Sequence, residues 1–110
     1  MLAHFASGVA GGFSNVFFDL SLQGVYLVAT LTMVLWELGE YALGVRESFS
    51  NRVLDVAVGL AGVQLALWIA AGLTRRSEFV AFFTSFAFAL GLSIVGWIAF
   101  RRRKVAIQER

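Results

Sequence analysis

Two acidic side chains late in a hydrophobic stretch are the first candidates for chemistry in this sequence. Glu37 and Glu40 are three residues apart, so a helix places both carboxylates on one face, with Tyr41 beside them. A charged group inside a membrane-spanning helix costs about 2.5 to 3.5 kcal/mol on insertion scales, so such acids are paired, hydrated or protonated, and they commonly mark functional sites. Carboxylates also accept protons and hard cations. The pair therefore predicts an ion pair, a polar pocket or a cation site.

Charged residues that follow in the sequence offer partners for these two glutamates. Arg46 and Arg52 lie in the polar stretch 45–52, and Asp55 falls in the first turn of the next apolar segment, where the helix dipole favours a carboxylate. We favour an interhelical ion-pair network, with a carboxylate-lined pocket for a lipid headgroup or amphiphile as the second interpretation. The predicted intramembrane polar residues are Glu37, Glu40, Arg46, Arg52 and Asp55. No metal site is predicted, because the chain offers too few clear ligands.

Residue types that commonly carry catalysis are scarce. His4 is the only histidine and there is no cysteine, so a serine–histidine–aspartate triad would have to recruit His4 from the terminal segment. The sequence contains no nucleophile-elbow motif, phosphate-binding loop or dinucleotide fingerprint. We therefore predict no catalytic residue and no enzyme activity. No cofactor is predicted either, although ligation of haem or another porphyrin-type pigment by His4 stays open.

The segments that must position these side chains are long and apolar. Of 110 residues, 59% are hydrophobic and 15% are charged, and the mean hydropathy is +0.79. Three stretches predict transmembrane helices, at 20–44, 53–73 and 79–100, and the last has no charged residue over its 22 positions. Short polar connections predict antiparallel neighbours. The fold class is therefore an all-α membrane helical bundle in one domain.

Residues 1–19 carry a weaker helical pattern. Leu2, Phe5, Val9 and Phe13 recur at helical spacing, while the more polar residues, such as His4, follow the opposite face. The segment predicts an amphipathic helix that lies at the membrane interface or packs on the bundle. This interpretation gives three membrane spans, and four spans is the alternative.

Small residues follow one face of each of the last two predicted helices. Such stripes let another helix backbone approach closely. The predicted packing residues are Gly59, Gly62, Ala66 and Ala70 in one helix and Ser85, Ala89 and Ser93 in the other. The opposite face of the last helix is bulky, with Phe79, Phe83, Phe86, Leu90 and Ile94. That face suits lipid or the hydrophobic flank of another subunit.

A basic block directly after the last apolar stretch predicts the orientation. It consists of Arg101, Arg102, Arg103 and Lys104, and with three spans seven of the nine basic residues share one side. Because basic residues accumulate on the cytoplasmic side, the tail 101–110 is expected to be cytoplasmic, in a bacterial inner membrane. The position of the block favours a membrane anchor over a nucleic-acid patch, so no nucleic-acid partner is predicted.

Part of the chain, at about residues 30–73, resembles the core hairpin of VanZ-like and YjdF-like small membrane proteins. The matching positions are Trp36, Glu37, Glu40, Arg46, Ser48-Phe49-Ser50, Asp55 and Gly62. Glu40 matches the Trp-Glu-x-x-Glu form of the pattern, whereas the VanZ-like form usually has Gln at this position. The sequence also departs from the VanZ-like pattern at Gly59, where that pattern usually has Asn, and its loop is a few residues longer. The resemblance implies a membrane module linked to glycopeptide resistance and envelope physiology rather than a particular reaction.

These observations predict a non-enzymatic accessory or scaffolding subunit of a membrane assembly. Its partners would be the lipid bilayer and other membrane subunits or copies of itself. The alternative is a VanZ-like lipid- or amphiphile-handling protein in which Glu37, Glu40 and Asp55 line a polar pocket.

Overall fold

Five helices make up the described part of the chain. The computed structural model describes residues 2–109, with side chains for residues 2–106. In order, the helices are α1 (Leu2–Phe13), α2 (Asn15–Phe18), α3 (Leu22–Ala42), α4 (Phe49–Ala70) and α5 (Arg75–Glu109). The described residues contain no strand, which confirms the all-helical prediction. Helices α3, α4 and α5 are each long and apolar enough to cross a membrane. Helix α1, at 12 residues, is only about 18 Å long.

Capping residues determine where the helices of the α3–α4 hairpin begin and end. Ser21 and Ser48 are N-caps, whose hydroxyls accept hydrogen bonds at 3.2 Å from the backbone N–H of Gly24 and Asn51 respectively. Helix α3 ends before Gly44, which adopts a positive φ of 88° that glycine tolerates. The connection therefore covers 43–48 instead of the predicted 45–52, and Arg52 belongs to α4.

Helix α5 is longer than the predicted span 79–100. It begins at Arg75 and continues to Glu109, so the predicted tail is helical as far as that residue. No glycine or proline follows Phe100, and Arg and Lys are good helix formers. The residues of the basic block, Arg101 to Lys104, are exposed on this helical extension.

The N-terminal segment lies inside the bundle. Along α4, the first turns of α1 lie beside Gly59 and Gly62, and Gly12 lies beside Val63 and Ala66, so α1 runs parallel to α4. Helix α1 also packs along α5. In the short helix that follows, Phe17 of α2 packs edge-on against Phe79 at the start of α5, with ring centroids 5.1 Å apart. The segment thus packs on the bundle, which was one of the two predicted placements.

Helix α1 separates α4 and α5, which the short connection between them predicts to be neighbours. The backbones of α4 and α5 scarcely approach each other, while both contact α1. The prediction that α4 and α5 pack directly together is therefore wrong. Its physical reason is the small-residue face of α1, which lets this helix enter the space between them.

The tightest packing joins α1 and α4 backbone to backbone. A Cβ atom built on Gly8 would overlap the carbonyl oxygen of Gly59, and one built on Gly12 would lie 2.6 Å from Ala66 Cβ. The buried residues of α1 are Ala6, Gly8, Ala10, Gly12 and Phe13. The buried face therefore consists mainly of small residues; of the predicted large apolar face, Phe13 is buried, Phe5 and Val9 are half-buried and Leu2 is 61% exposed.

The predicted packing stripes lie largely on the inner side of the bundle. Gly59, Gly62 and Ala66 are buried in α4, and Ala89 is buried in α5. Ala70, Ser85 and Ser93 are half-buried. The α4 stripe is occupied by α1 of the same chain.

Helix α3 is attached more loosely. Its buried residues are Val25 and Glu37. Two polar links tie it to α4: the hydroxyl of Tyr26 donates a hydrogen bond to Gln64 Oε1, and the Arg52 guanidinium binds Glu37. The second link belongs to the candidate site.

Candidate functional site

Glu37 is the centre of a polar cluster between α1, α3 and α4. Its side chain is 7% exposed, and Arg52 Nη1 donates to Glu37 Oε2 at 2.9 Å. The same guanidinium nitrogen lies 2.9 Å from the Glu37 backbone carbonyl oxygen, and Arg52 Nη2 donates to the Val45 carbonyl oxygen at 2.8 Å. Arg52 therefore locks the start of α4 to the end of α3 and to their connection. A charge-assisted, mostly buried pair of this kind holds its geometry well.

His4 reaches the same cluster from α1. Its Nε2 lies 3.0 Å from Glu37 Oε1, which is hydrogen-bonding distance. Its Nδ1 lies 3.8 Å from Asp55 Oδ1, beyond hydrogen-bonding distance. Nδ1 is buried and has no hydrogen-bond partner among the described residues. The imidazole thus lies between two carboxylates and is bonded to only one.

Glu40 and Arg46 are placed differently from the predicted network. Glu40 is half-buried, and its Oε1 accepts a hydrogen bond of 2.9 Å from Trp36 Nε1. Arg46 is exposed, and the salt bridges among the described side chains involve Arg52 and His4 instead. Arg46 follows the turn at Gly44 in the loop, whereas Arg52 projects from the first turns of α4 toward α3. The structure therefore brings Glu37, Glu40, Arg52 and Asp55 together and leaves Arg46 outside.

The inclusion of His4 is the feature that sequence reasoning missed. His4, Gly8 and Gly12 are spaced four residues apart, so they share one face of α1. Because the two glycines pack on α4, this spacing directs His4 into the bundle. The small-residue spacing in α1 could have indicated this placement.

Two sets of side chains have the donor types for a metal ion. In one set, His4, Glu37 and Glu40 each offer a ligand atom, and these atoms lie within 4.8 Å of one another. In the other set, Glu37, Glu47 and Asp55 meet the same distance. Only the first set contains an imidazole nitrogen, and Glu47 of the second set is exposed. The prediction that the chain offers too few ligands did not count His4 as a partner of the two glutamates.

A cleft lies at the opposite end of the bundle from this cluster. Its volume is about 180 Å³. Its lining residues are Gly12, Phe13, Asn15, Val16, Asp19, Leu67, Ala70, Arg75 and Glu78. Neither Glu37 nor Asp55 lines this cleft, and the charged residues at its border are Asp19, Arg75 and Glu78.

Comparison with protein-family models, with curated proteins and with solved structures found no match to the chain.

Proposed function

We propose that this chain is a non-enzymatic integral membrane protein, in which α3, α4 and α5 cross the bilayer. Large apolar side chains point outward on all three of these helices. Leu31 of α3 is 55% exposed, Trp68 of α4 is 71% exposed and Val80 of α5 is 61% exposed. Water would disfavour so much exposed apolar area, whereas lipid tails accommodate it.

The polar cluster and the basic extension of α5 fit one orientation. Helix α1 runs parallel to α4, and the short helix α2 that follows it packs against the beginning of α5, so the cluster and the C-terminal half of α5 lie at the same end. Arg46 and Arg52 belong to this end too. Because basic residues accumulate on the cytoplasmic side, the proposed location of this end is the cytoplasm, and the proposed membrane is a bacterial inner membrane.

Within the membrane, the proposed role is that of an accessory or scaffolding subunit. The observation that carries this proposal is the phenylalanine-rich flank of α5, defined by Phe83, Phe86, Leu90 and Ile94. These side chains are between 49% and 61% exposed, while the small-residue stripe of α4 is already filled by α1. The flank is therefore an apolar surface that stays open to other membrane subunits or a second copy.

Extraction into polymer-bounded nanodiscs followed by native mass spectrometry tests this role. The parent is expected to be part of a defined assembly, and the double variant Phe83→Ala, Phe86→Ala should lose it. The matched control is Leu31→Ala, Leu35→Ala, which removes similar outward apolar area from α3 and should leave the assembly intact. Recovery of the parent as a monomer with lipid alone would contradict the scaffolding proposal.

The VanZ-like alternative, a lipid- or amphiphile-handling protein with a carboxylate-lined pocket, has less support. Glu37 is engaged by Arg52 and His4, and the cleft lies at the other end of the bundle. If Glu37 nevertheless contributes to lipid handling, Glu37→Gln should change the lipids that remain bound in the same nanodisc experiment.

A further inference from the structure

Both ring nitrogens of His4 face carboxylates, and this creates a hydrogen-bonding conflict. A neutral imidazole has one N–H group. If Nε2 carries it and donates to Glu37 at 3.0 Å, the lone pair of Nδ1 is directed toward Asp55 Oδ1, which is 3.8 Å away. Nδ1 is buried and lacks a hydrogen-bond partner among the described residues. Asp55 is itself only 7% exposed.

The other tautomer removes this conflict. With its proton on Nδ1, His4 can donate to Asp55, and a small closing movement would bring that contact into hydrogen-bonding range. The lone pair of Nε2 then points at Glu37 Oε1, so a proton or a metal cation has to lie between these two atoms. Metal-bound histidines generally show this arrangement, in which the second nitrogen donates to a carboxylate that fixes the tautomer and the ring orientation.

The charges of the cluster lead to the same requirement. Glu37, Glu40 and Asp55 supply three buried or half-buried carboxylates around one guanidinium, that of Arg52, while the nearby carboxylate of Glu47 is exposed. With a neutral His4, two of these three negative charges lack a cationic partner among the described side chains, and unpaired charge in an apolar bundle is costly. A divalent cation would offset both.

The donor set indicates which cation fits. We infer that His4, Glu37 and Glu40 bind a divalent transition-metal ion of the Zn²⁺ type. Asp55 orients the imidazole by accepting a hydrogen bond from His4 Nδ1. The three ligand atoms lie within 4.8 Å of one another, so a modest contraction onto a shared ion brings them to bonding distance. Two carboxylates with one imidazole favour Zn²⁺ and related ions over Mg²⁺ and Ca²⁺, which prefer oxygen ligands alone.

Neighbouring side chains already hold the two glutamates. Arg52 binds Glu37 through Oε2, which leaves Oε1 facing His4. Trp36 holds Glu40 by one oxygen. These contacts correspond to the outer hydrogen bonds that orient metal ligands in proteins. The site would join α1 to α3, two helices that otherwise share little packing.

Isothermal titration with Zn²⁺ tests the inference on full-length protein that is purified in detergent without a histidine tag and stripped with chelator. The expected result is one Zn²⁺ bound per chain. His4→Gln and Glu40→Gln should each weaken binding by at least about tenfold, and Asp55→Asn by about 10- to 100-fold, the range for outer-shell partners. Co²⁺ substitution should give visible d–d absorption that His4→Gln changes.

Glu47→Gln and Asp19→Asn are the matched controls, and both should bind Zn²⁺ like the parent. Absence of saturable Zn²⁺ binding would overturn the inference and leave a protonated His4 as the bridge between the two carboxylates. Binding that survives His4→Gln but is lost in Glu47→Gln would also overturn it, because the ion would then occupy the set formed by Glu37, Glu47 and Asp55. The unmodified protein gives a further test. Zn²⁺ should raise its unfolding temperature, because a ligand specific for the folded state stabilises that state.

Discussion

Gly8 of α1 meets Gly59 of α4 backbone to backbone, with no room for a side chain between them. A Cβ atom on Gly8 would overlap the Gly59 carbonyl oxygen. The contact lies one helical turn from His4, so the close approach of the two backbones also fixes the depth at which His4 enters the polar cluster. Packing of α1 and assembly of the cluster are therefore linked.

Gly8→Ala should destabilise the protein, because the added methyl group must push α1 away from α4. Overpacking of this kind costs about 1 to 3 kcal/mol. Gly11→Ala is the control in the same helix, since a Cβ there has no neighbour within 4 Å, and helix propensity should make it neutral or stabilising by about 0.5 to 1 kcal/mol. Thermal unfolding in detergent measures both. Equal stabilities for the two variants would show that α1 does not pack on α4 as described.

Gly62→Leu should disturb the packing of α1 on α4 within one chain. A Cβ on Gly62 would overlap the Phe5 carbonyl oxygen and lie 2.9 Å from the Val9 backbone nitrogen, so a leucine side chain should displace α1 from the bundle. Limited proteolysis should then cut the N-terminal segment faster than in the parent. Phe86→Leu, on the outward flank of α5, should leave the cleavage rate unchanged, and a Gly62→Leu variant as resistant as the parent would contradict this placement of α1.

The Glu37–Arg52 pair should show strong energetic coupling, because both side chains are mostly buried. Removing one partner of a buried pair leaves the other charge uncompensated, at a cost of about 3 to 5 kcal/mol. Arg52→Gln should therefore be strongly destabilising, and adding Glu37→Gln should recover part of the loss. A double-mutant cycle on unfolding in detergent gives the coupling.

A second double-mutant cycle, on Glu40 and Arg46, is the control for the Glu37–Arg52 cycle. Arg46 is exposed, and the ion pair of Glu37 is made by Arg52. Glu40→Gln and Arg46→Gln should therefore have additive effects, with coupling near zero. A larger coupling between Glu40 and Arg46 than between Glu37 and Arg52 would mean that the arginine in the loop, not the one in α4, holds the hairpin.

Apolar stretches and charges near helix ends were sufficient to predict the three long helices and most of the polar cluster. Length and hydropathy depend on local composition, and Glu37, Arg52 and Asp55 lie close together in sequence. The position of α1 depends on contacts between residues some fifty positions apart, as in Gly8 with Gly59, and periodicity within one segment cannot specify its partner. His4 was missed for the same reason, because its role follows from the packing of the glycines after it.

The orientation can be measured independently of packing. A reporter enzyme fused after Arg110 should be active in the cytoplasm, since the basic extension of α5 lies at the same end as Arg46 and Arg52. Neutralising Arg101 to Lys104 should reduce the fraction of chains with this orientation, although the two arginines near the hairpin retain part of the bias. A matched variant that neutralises Arg75 and Arg76, at the opposite end, should increase it. Periplasmic reporter activity from the unmodified fusion would reverse the proposed topology and place the cluster of His4 and Glu37 near the outer surface of the membrane.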